Sequence, residues 1–255
     1  METRVEPPQT VVVLGGSSEI ARAITKKLCM IRTHSVILAG RDQTLLDQAA
    51  VEAEEYGATK TGIVIFDAEE PTHASQVVEE AFDMVGDRVD LVIVAVGTTG
   101  TQAEDENNAE GSARMITVNV TWPVAALAEV RRRLVAQGSG TILVISSAAA
   151  IRVRRVSYLY SGAKAGLDRI CVCLAESLEG TGVRLQLLRP AAVRTRMSLN
   201  LSPTPFTTGV NEVADNAVRG LASDDLVIWS PPMLRYVMIL VRLMPPTLWR
   251  RLANR

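Results

Sequence analysis

Cysteine is scarce in this chain: Cys29, Cys171 and Cys173 are the only three in 255 residues. So few, and odd in number, they exclude a disulfide framework and point to a reducing compartment. Cys171 and Cys173 stand two apart in a helical stretch, so they diverge around the axis and make a poor metal pair; both read as small buried hydrophobes. Histidine is rarer still, and neither His34 nor His73 takes a role. Net charge is nearly absent: 27 basic against 28 acidic side chains leave −1, so no global field draws the chain onto nucleic acid. Residues 1–10 are polar, carry Pro7 and Pro8 and lack an apolar core, so a cytoplasmic location is expected. No repeat, linker or low-complexity segment interrupts the chain, and one domain over residues 1–255 is expected.

What is present is an alternation of two periods. Short β-branched apolar runs occur at residues 11–14, 36–39, 62–66, 91–96, 141–145, 183–188 and 226–229. Between them, residues 18–29, 45–56, 74–85, 113–136, 158–178 and 211–221 repeat apolar positions at three and four, the mark of amphipathic helices. Strand and helix in turn predict an α/β fold: a seven-stranded parallel sheet, doubly wound, with helices on both faces and ligands at the carboxyl ends of the strands.

Directly after the first strand comes Gly15-Gly16-Ser17-Ser18-Glu19-Ile20, opening into a helix. Free backbone N–H groups of this turn, together with the helix dipole, suit a pyrophosphate, with Gly15, Ser17, Ser18 and Ile20 expected at the cofactor; the plainer reading is a tight corner that needs glycine. The second strand ends in Gly40-Arg41-Asp42, and an arginine there accommodates a 2′-phosphate, which favours NADP(H) over NAD(H). Arg41 could equally stack on adenine with either cofactor. Asp67, with Ala68 beside it, is placed to meet the adenine amino group. At the fifth strand's end stand Ser146 and Ser147, and thirteen residues after Ser147 comes Tyr160, four before Lys164. Four residues is one helical turn, so phenol and ammonium share a face, and a cation there lowers a phenol's proton affinity. Ser147 would donate a hydrogen bond to a substrate oxygen as charge develops on it.

Taken together, these motifs make the chain resemble the short-chain dehydrogenase/reductase superfamily over residues of about 10 to 230. The resemblance implies a Rossmann-type fold and an NAD(P)-dependent oxidoreductase with Ser147, Tyr160 and Lys164 as catalytic residues and Asn119 supporting a proton-relay water. It also implies cofactor contacts from Ala95, Gly97, Pro190, Val193 and Thr195, besides Tyr160 and Lys164. Tyr158 has no lysine four residues on and reads as pocket wall or core. The turn carries Glu19 and Ala21 where the superfamily usually has glycine, and Pro190 is followed by Ala191. A carboxylate at residue 19 sits awkwardly beside a pyrophosphate unless it turns away.

Residues 146–155, 163–168 and 193–198 look closer still, to the reductases of decaprenylphosphoryl-2-keto-erythro-pentose. That resemblance implies a keto sugar on a polyprenyl phosphate as substrate, cell-wall arabinan precursor synthesis and a flavoprotein oxidase partner. It also implies a homo-oligomer. Arg154 and Arg155, with Arg152, lie between the candidate serine and tyrosine, where guanidinium groups suit a phosphodiester or serve as solvated or interface charge. Arg194 and Arg196 are read the same way. The extension 232–255 is apolar and rich in methionine. Between Pro232 and Pro245 it leaves about 18 Å of helix, too short for a bilayer core of about 30 Å. It suits an in-plane contact with the inner face of the membrane, or packing on the pocket or on a second subunit. Two other functions stay open: reduction of another lipid-like ketone (steroid or β-keto acyl), and a cofactor-binding partner of the oxidase without catalysis.

Overall fold

The computed structural model describes residues 6–198, 206–245 and 247–249; Pro246, Arg250 and Arg251 of the C-terminal extension lie outside them. The chain opens with β1 (Thr10–Leu14), α1 (Glu19–Cys29), β2 (Ser35–Gly40), α2 (Gln43–Glu55), β3 (Lys60–Ile65), α3 (Ala74–Val85) and β4 (Leu91–Val94). Two short helices follow, α4 (Gln102–Asp105) and α5 (Ala109–Ile116), and then α6 (Trp122–Gln137), β5 (Gly140–Ile145), α7 (Tyr158–Ser177) and β6 (Val183–Pro190). It continues through β7 (Val193–Arg194), β8 (Thr208–Gly209), α8 (Val210–Leu221), β9 (Val227–Ser230) and α9 (Leu234–Leu243).

Seven strands form one sheet in the order β3-β2-β1-β4-β5-β6-β9, each pair parallel, while β7 and β8 pair apart from it. Every residue of β1 is buried, because helices cover both faces and each side chain finds apolar company whichever way it points. Val12 and Leu14 pack with Val78, Trp122 and Leu127 of α3 and α6, and with Leu167 of α7. Val11 and Val13 pack on the other face with Ile24, Leu46 and Ala217 of α1, α2 and α8. Each such side chain contributes about 1.5–3 kcal/mol by leaving water. Since β1 lies between β2 and β4, chain connections leave it in opposite directions and open a crevice at its carboxyl end.

The continuous helix expected over 113–136 is instead two helices joined by a π-turn at Thr117–Thr121, where the Trp122 N–H reaches back to the Thr117 carbonyl. Pro123 supplies the reason. It has no N–H for the Asn119 carbonyl, and its ring would collide with that carbonyl in a regular α-turn, so the backbone widens. The extension is a ten-residue helix, α9, and no described helix is long and apolar enough to cross a membrane.

Candidate active site

The crevice is a cleft of about 540 Å³ lined by the β1–α1 turn, the ends of β2 and β3, the segment after β4 and the strap after β7. Of the residues expected to hold a cofactor, Gly15, Ser17, Ser18, Ile20, Arg41, Asp67, Ala68, Ala95, Gly97 and Thr195 all line it. Gly15 has φ +97°, and a Cβ there would meet the Ala95 carbonyl carbon at 2.7 Å, so only glycine lets the turn cross so close to the end of β4. The Gly15 and Gly16 N–H groups both donate to the Ala39 carbonyl, which folds the turn back over β2. At the start of α1, the Ala21 N–H donates to the capping Ser18 hydroxyl and the Arg22 N–H to the Ser18 carbonyl. The Ser18 N–H donates to the Gly15 carbonyl, and among the described residues the Ser17, Glu19 and Ile20 N–H groups are left without a protein acceptor, as a helix start that receives an anion requires.

Arg41 is exposed at the cleft edge with no carboxylate partner among the described residues, so its guanidinium is available to a phosphate. Asp42 is engaged instead, capping α2 through the Leu45 N–H. Asp67 accepts the Glu69 N–H at 2.9 Å and lines the cleft. This donor set fits a nicotinamide dinucleotide: backbone N–H groups for the diphosphate, a free guanidinium and an adenine-side carboxylate. Pro190 and Val193 are buried behind the lining, Val193 accepting the Ser198 hydroxyl at 2.6 Å.

Gly97 carries the cleft to a second cluster. A Cβ on it would lie 2.8 Å from Asn119 Oδ1 and 3.1 Å from Lys164 Nζ, so glycine lets those two groups approach the backbone. Asn119, fully buried in the π-turn, donates to the Thr98 and Met115 carbonyls and accepts the Thr98 N–H. Lys164 is buried on α7 and donates to the Ile145 carbonyl at 3.2 Å. Burial pulls its proton affinity down from 10.5 to about 8. Tyr160 lies one turn before it, and the Ser147 hydroxyl is the neighbour that draws the phenol's proton affinity down. The same Ser147 oxygen accepts the Ala149 N–H at 3.1 Å.

The electrostatics differ from the sequence expectation. Burial raises the Tyr160 phenol above its ordinary value, and the opposing influence is the Ser147 hydroxyl rather than the ammonium. Spacing brings Lys164 to the right face, but the degree of burial is a property of the packed site and outweighs it. Tyr158, expected in a wall or core, is 42% exposed at the first position of α7. Cys173, expected buried, is likewise exposed, whereas Cys171 is buried as expected and Cys29 is buried too.

The two adjacent serines part company. Ser146 is buried and donates to Asp168 at 2.6 Å, and the same carboxylate takes two bonds from Arg189, at 2.7 and 2.9 Å. This network joins β5, β6 and α7 beneath the site. Sequence reading missed it, although an arginine ending a strand as apolar as β6 was a signal. Arg152 points away from the cleft and donates to the Val241 and Met244 carbonyls, closing the end of α9 and stacking over Trp249. Arg154 and Arg155 have no carboxylate partner among the described residues and do not line the cleft. Arg196, grouped by sequence with the phosphodiester candidates, instead stands on the cofactor turn, with the Glu19 carboxylate accepting its N–H.

Residues 9–205 match the short chain dehydrogenase family. An uncharacterized oxidoreductase of Streptomyces coelicolor is 37% identical over 97% of either chain, and one of Mycobacterium tuberculosis is 33% identical over 96% of this chain and 97% of its own. Among solved structures, a short-chain dehydrogenase from Sphingobium yanoikuyae in complex with NADPH superposes with a TM-score of 0.78 at 26% identity, covering 90% of this chain and 91% of its own. The chain belongs to the short-chain dehydrogenase family. As a member it is an NAD(P)-dependent oxidoreductase.

Proposed function

We propose that the protein reduces a keto sugar carried on a polyprenyl phosphate, taking decaprenylphosphoryl-2-keto-erythro-pentose to decaprenylphosphoryl-arabinose, a precursor of cell-wall arabinan, with NADPH preferred. The observation that carries this reading is a cationic and apolar loop ahead of Tyr160: Arg154 and Arg155 have no carboxylate partner among the described residues, and Arg152 ties α9 against the same loop. An amphiphilic, anionic ketone matches that loop. Bound in the cleft, NADPH supplies a hydride to the carbonyl carbon. Tyr160 gives its proton to the carbonyl oxygen, which becomes the alcohol, and a phenol held protonated by burial is suited to donate. Ser147 donates a hydrogen bond to the same oxygen as charge gathers on it. Lys164 holds a positive charge behind the phenolate that remains, and Asn119 fixes the backbone beside it. Preference for NADPH rests on Arg41.

On α9, Tyr236, Ile239, Leu240 and Leu243 form one exposed stripe beside Arg235 and Arg242, which have no carboxylate partner among the described residues. That stripe supports peripheral contact with the cytoplasmic membrane face that holds such a substrate. The reading also requires an oxidase upstream, since a 2-keto sugar arises by oxidation of the hydroxyl; a flavoprotein subunit fills that role, and the reductase itself is a homo-oligomer. Purified protein is expected to oxidise NADPH with the keto-sugar lipid and not with the same keto sugar lacking the polyprenyl phosphate. Tyr160→Phe is expected to abolish turnover while fluorescence titration shows NADPH still bound. Equal turnover of a steroid or β-keto acyl ketone would replace this substrate, and an active Tyr160→Phe would remove the proton donor.

A further inference from the structure

Glu19 is the residue at which the turn departs from a plain cradle of small side chains. It opens α1 at a position whose N–H group is left for an anion, so its carboxylate competes with any diphosphate held there. In the structure that carboxylate faces Arg196, 177 positions away in the chain: Oε2 accepts the Arg196 N–H at 2.7 Å and lies 3.6 Å from its Nε. Nη2 of the same arginine stands 3.5 Å from the Ser17 carbonyl. Glu19, Ser17 and Arg196 all line the cleft. The strap after β7 is therefore fastened across the mouth of the cleft to the turn that receives the cofactor.

We infer that Arg196 is a positioning residue for the dinucleotide diphosphate, delivered to the helix start by Glu19, whose charge it cancels there. The two functions are inseparable. Without the arginine the carboxylate faces the diphosphate as a like charge; with it, the pair presents a guanidinium that can bond carboxylate and phosphate at once, since it offers five donors in a plane. The inference rests on the family's use of a nicotinamide dinucleotide and not on the identity of the ketone.

The test is a double-mutant cycle on NADPH binding, read by fluorescence titration of the full chain with no ketone present. Arg196→Gln is expected to weaken binding by about tenfold, the cost of leaving the Glu19 carboxylate uncancelled beside the diphosphate. In the Glu19→Gln background the same substitution is expected to cost less than about threefold, because no carboxylate is left to repel the diphosphate. Adenosine 2′-monophosphate, which lacks the diphosphate, is expected to bind all four proteins alike, an outcome that a merely structural pair would not give. Both side chains are partly exposed, so the variants fold, and thermal melting checks it. An equal loss in both backgrounds, no loss in either, or a parallel loss with adenosine 2′-monophosphate would each overturn the inference. Failure of the keto-sugar lipid as substrate would leave it standing.

Discussion

Lys164 makes the most direct test of the site's electrostatics, because its burial ought to cost stability in a way that pH can switch off. The folded chain releases the Lys164 proton at about 8, the unfolded chain near the ordinary 10.5. Below pH 8 both states hold the proton, and the folded one bears the full cost of a buried ammonium. Each tenfold loss of proton affinity corresponds to about 1.4 kcal/mol, so the cost is about 3 kcal/mol. Between pH 8 and 10.5 the folded state lets the proton go first; the unfolded state then binds more protons, and stability rises with pH. Lys164→Met fills the same space without a charge but gives up the bond to the Ile145 carbonyl, worth about 1 kcal/mol. At pH 7 the variant should therefore be the more stable by about 2 kcal/mol, which for a chain of this size raises Tm by about 4–8 °C. At pH 10.5 the gain should vanish and leave only the lost bond. Thermal melts of the cofactor-free proteins at the two pH values decide it. Equal melting at pH 7, or a gain that persists at pH 10.5, would refute the claim that the ammonium is held against its solvation.

Two further outcomes follow from the site and its support. Arg41→Ala is expected to weaken NADPH by about tenfold or more, one phosphate contact, and NADH by less than about threefold, in parallel fluorescence titrations; equal losses would mean that the guanidinium stacks on adenine instead. Asp168→Ala strands the Arg189 guanidinium with no countercharge, which should lower unfolding free energy in urea by about 3–5 kcal/mol. A loss below about 1 kcal/mol would show that water reaches Arg189 and that the network is not the support described.

The sequence carried the sheet almost residue for residue, because strands buried on both faces are written as unbroken apolar runs; residues 11–14 became Thr10–Leu14 and 36–39 became Ser35–Gly40. The preference for Tyr160 over Tyr158 came from a lysine one turn later, whereas the wall or core position expected of Tyr158 could not be read from its neighbours, and the structure leaves it exposed. The π-turn was hidden because an extra residue in one turn barely disturbs a three-and-four pattern; Pro123 was its only local sign. Ser147 was chosen over Ser146 by its spacing to Tyr160 alone; what holds Ser146 away could not be read, since it depends on Asp168, twenty-two positions away, reaching across from α7. Nor could the direction of the Tyr160 shift, which depends on how much protein covers the ring. The pairing of Glu19 with Arg196 is of the same kind: each residue is visible alone, and only the fold brings them together.

Helix α7 carries two buried charges one turn apart, and their surroundings separate their roles. Asp168 meets Arg189 and Ser146, its oxygens satisfied by three hydrogen bonds, as a charge must be if it is to hold elements together. Among the described residues Lys164 has a single carbonyl and no carboxylate bonded to it, and burial lowers its proton affinity. A chain selected for stability alone would pair or delete such an ammonium, since a methionine would sit there at less cost. An unpaired cation beside Tyr160 instead keeps its field for a negative charge that arises only when the phenol gives up its proton. The same reasoning predicts that supplying Lys164 with a permanent carboxylate partner would stabilise the fold while blunting the group that the reaction needs.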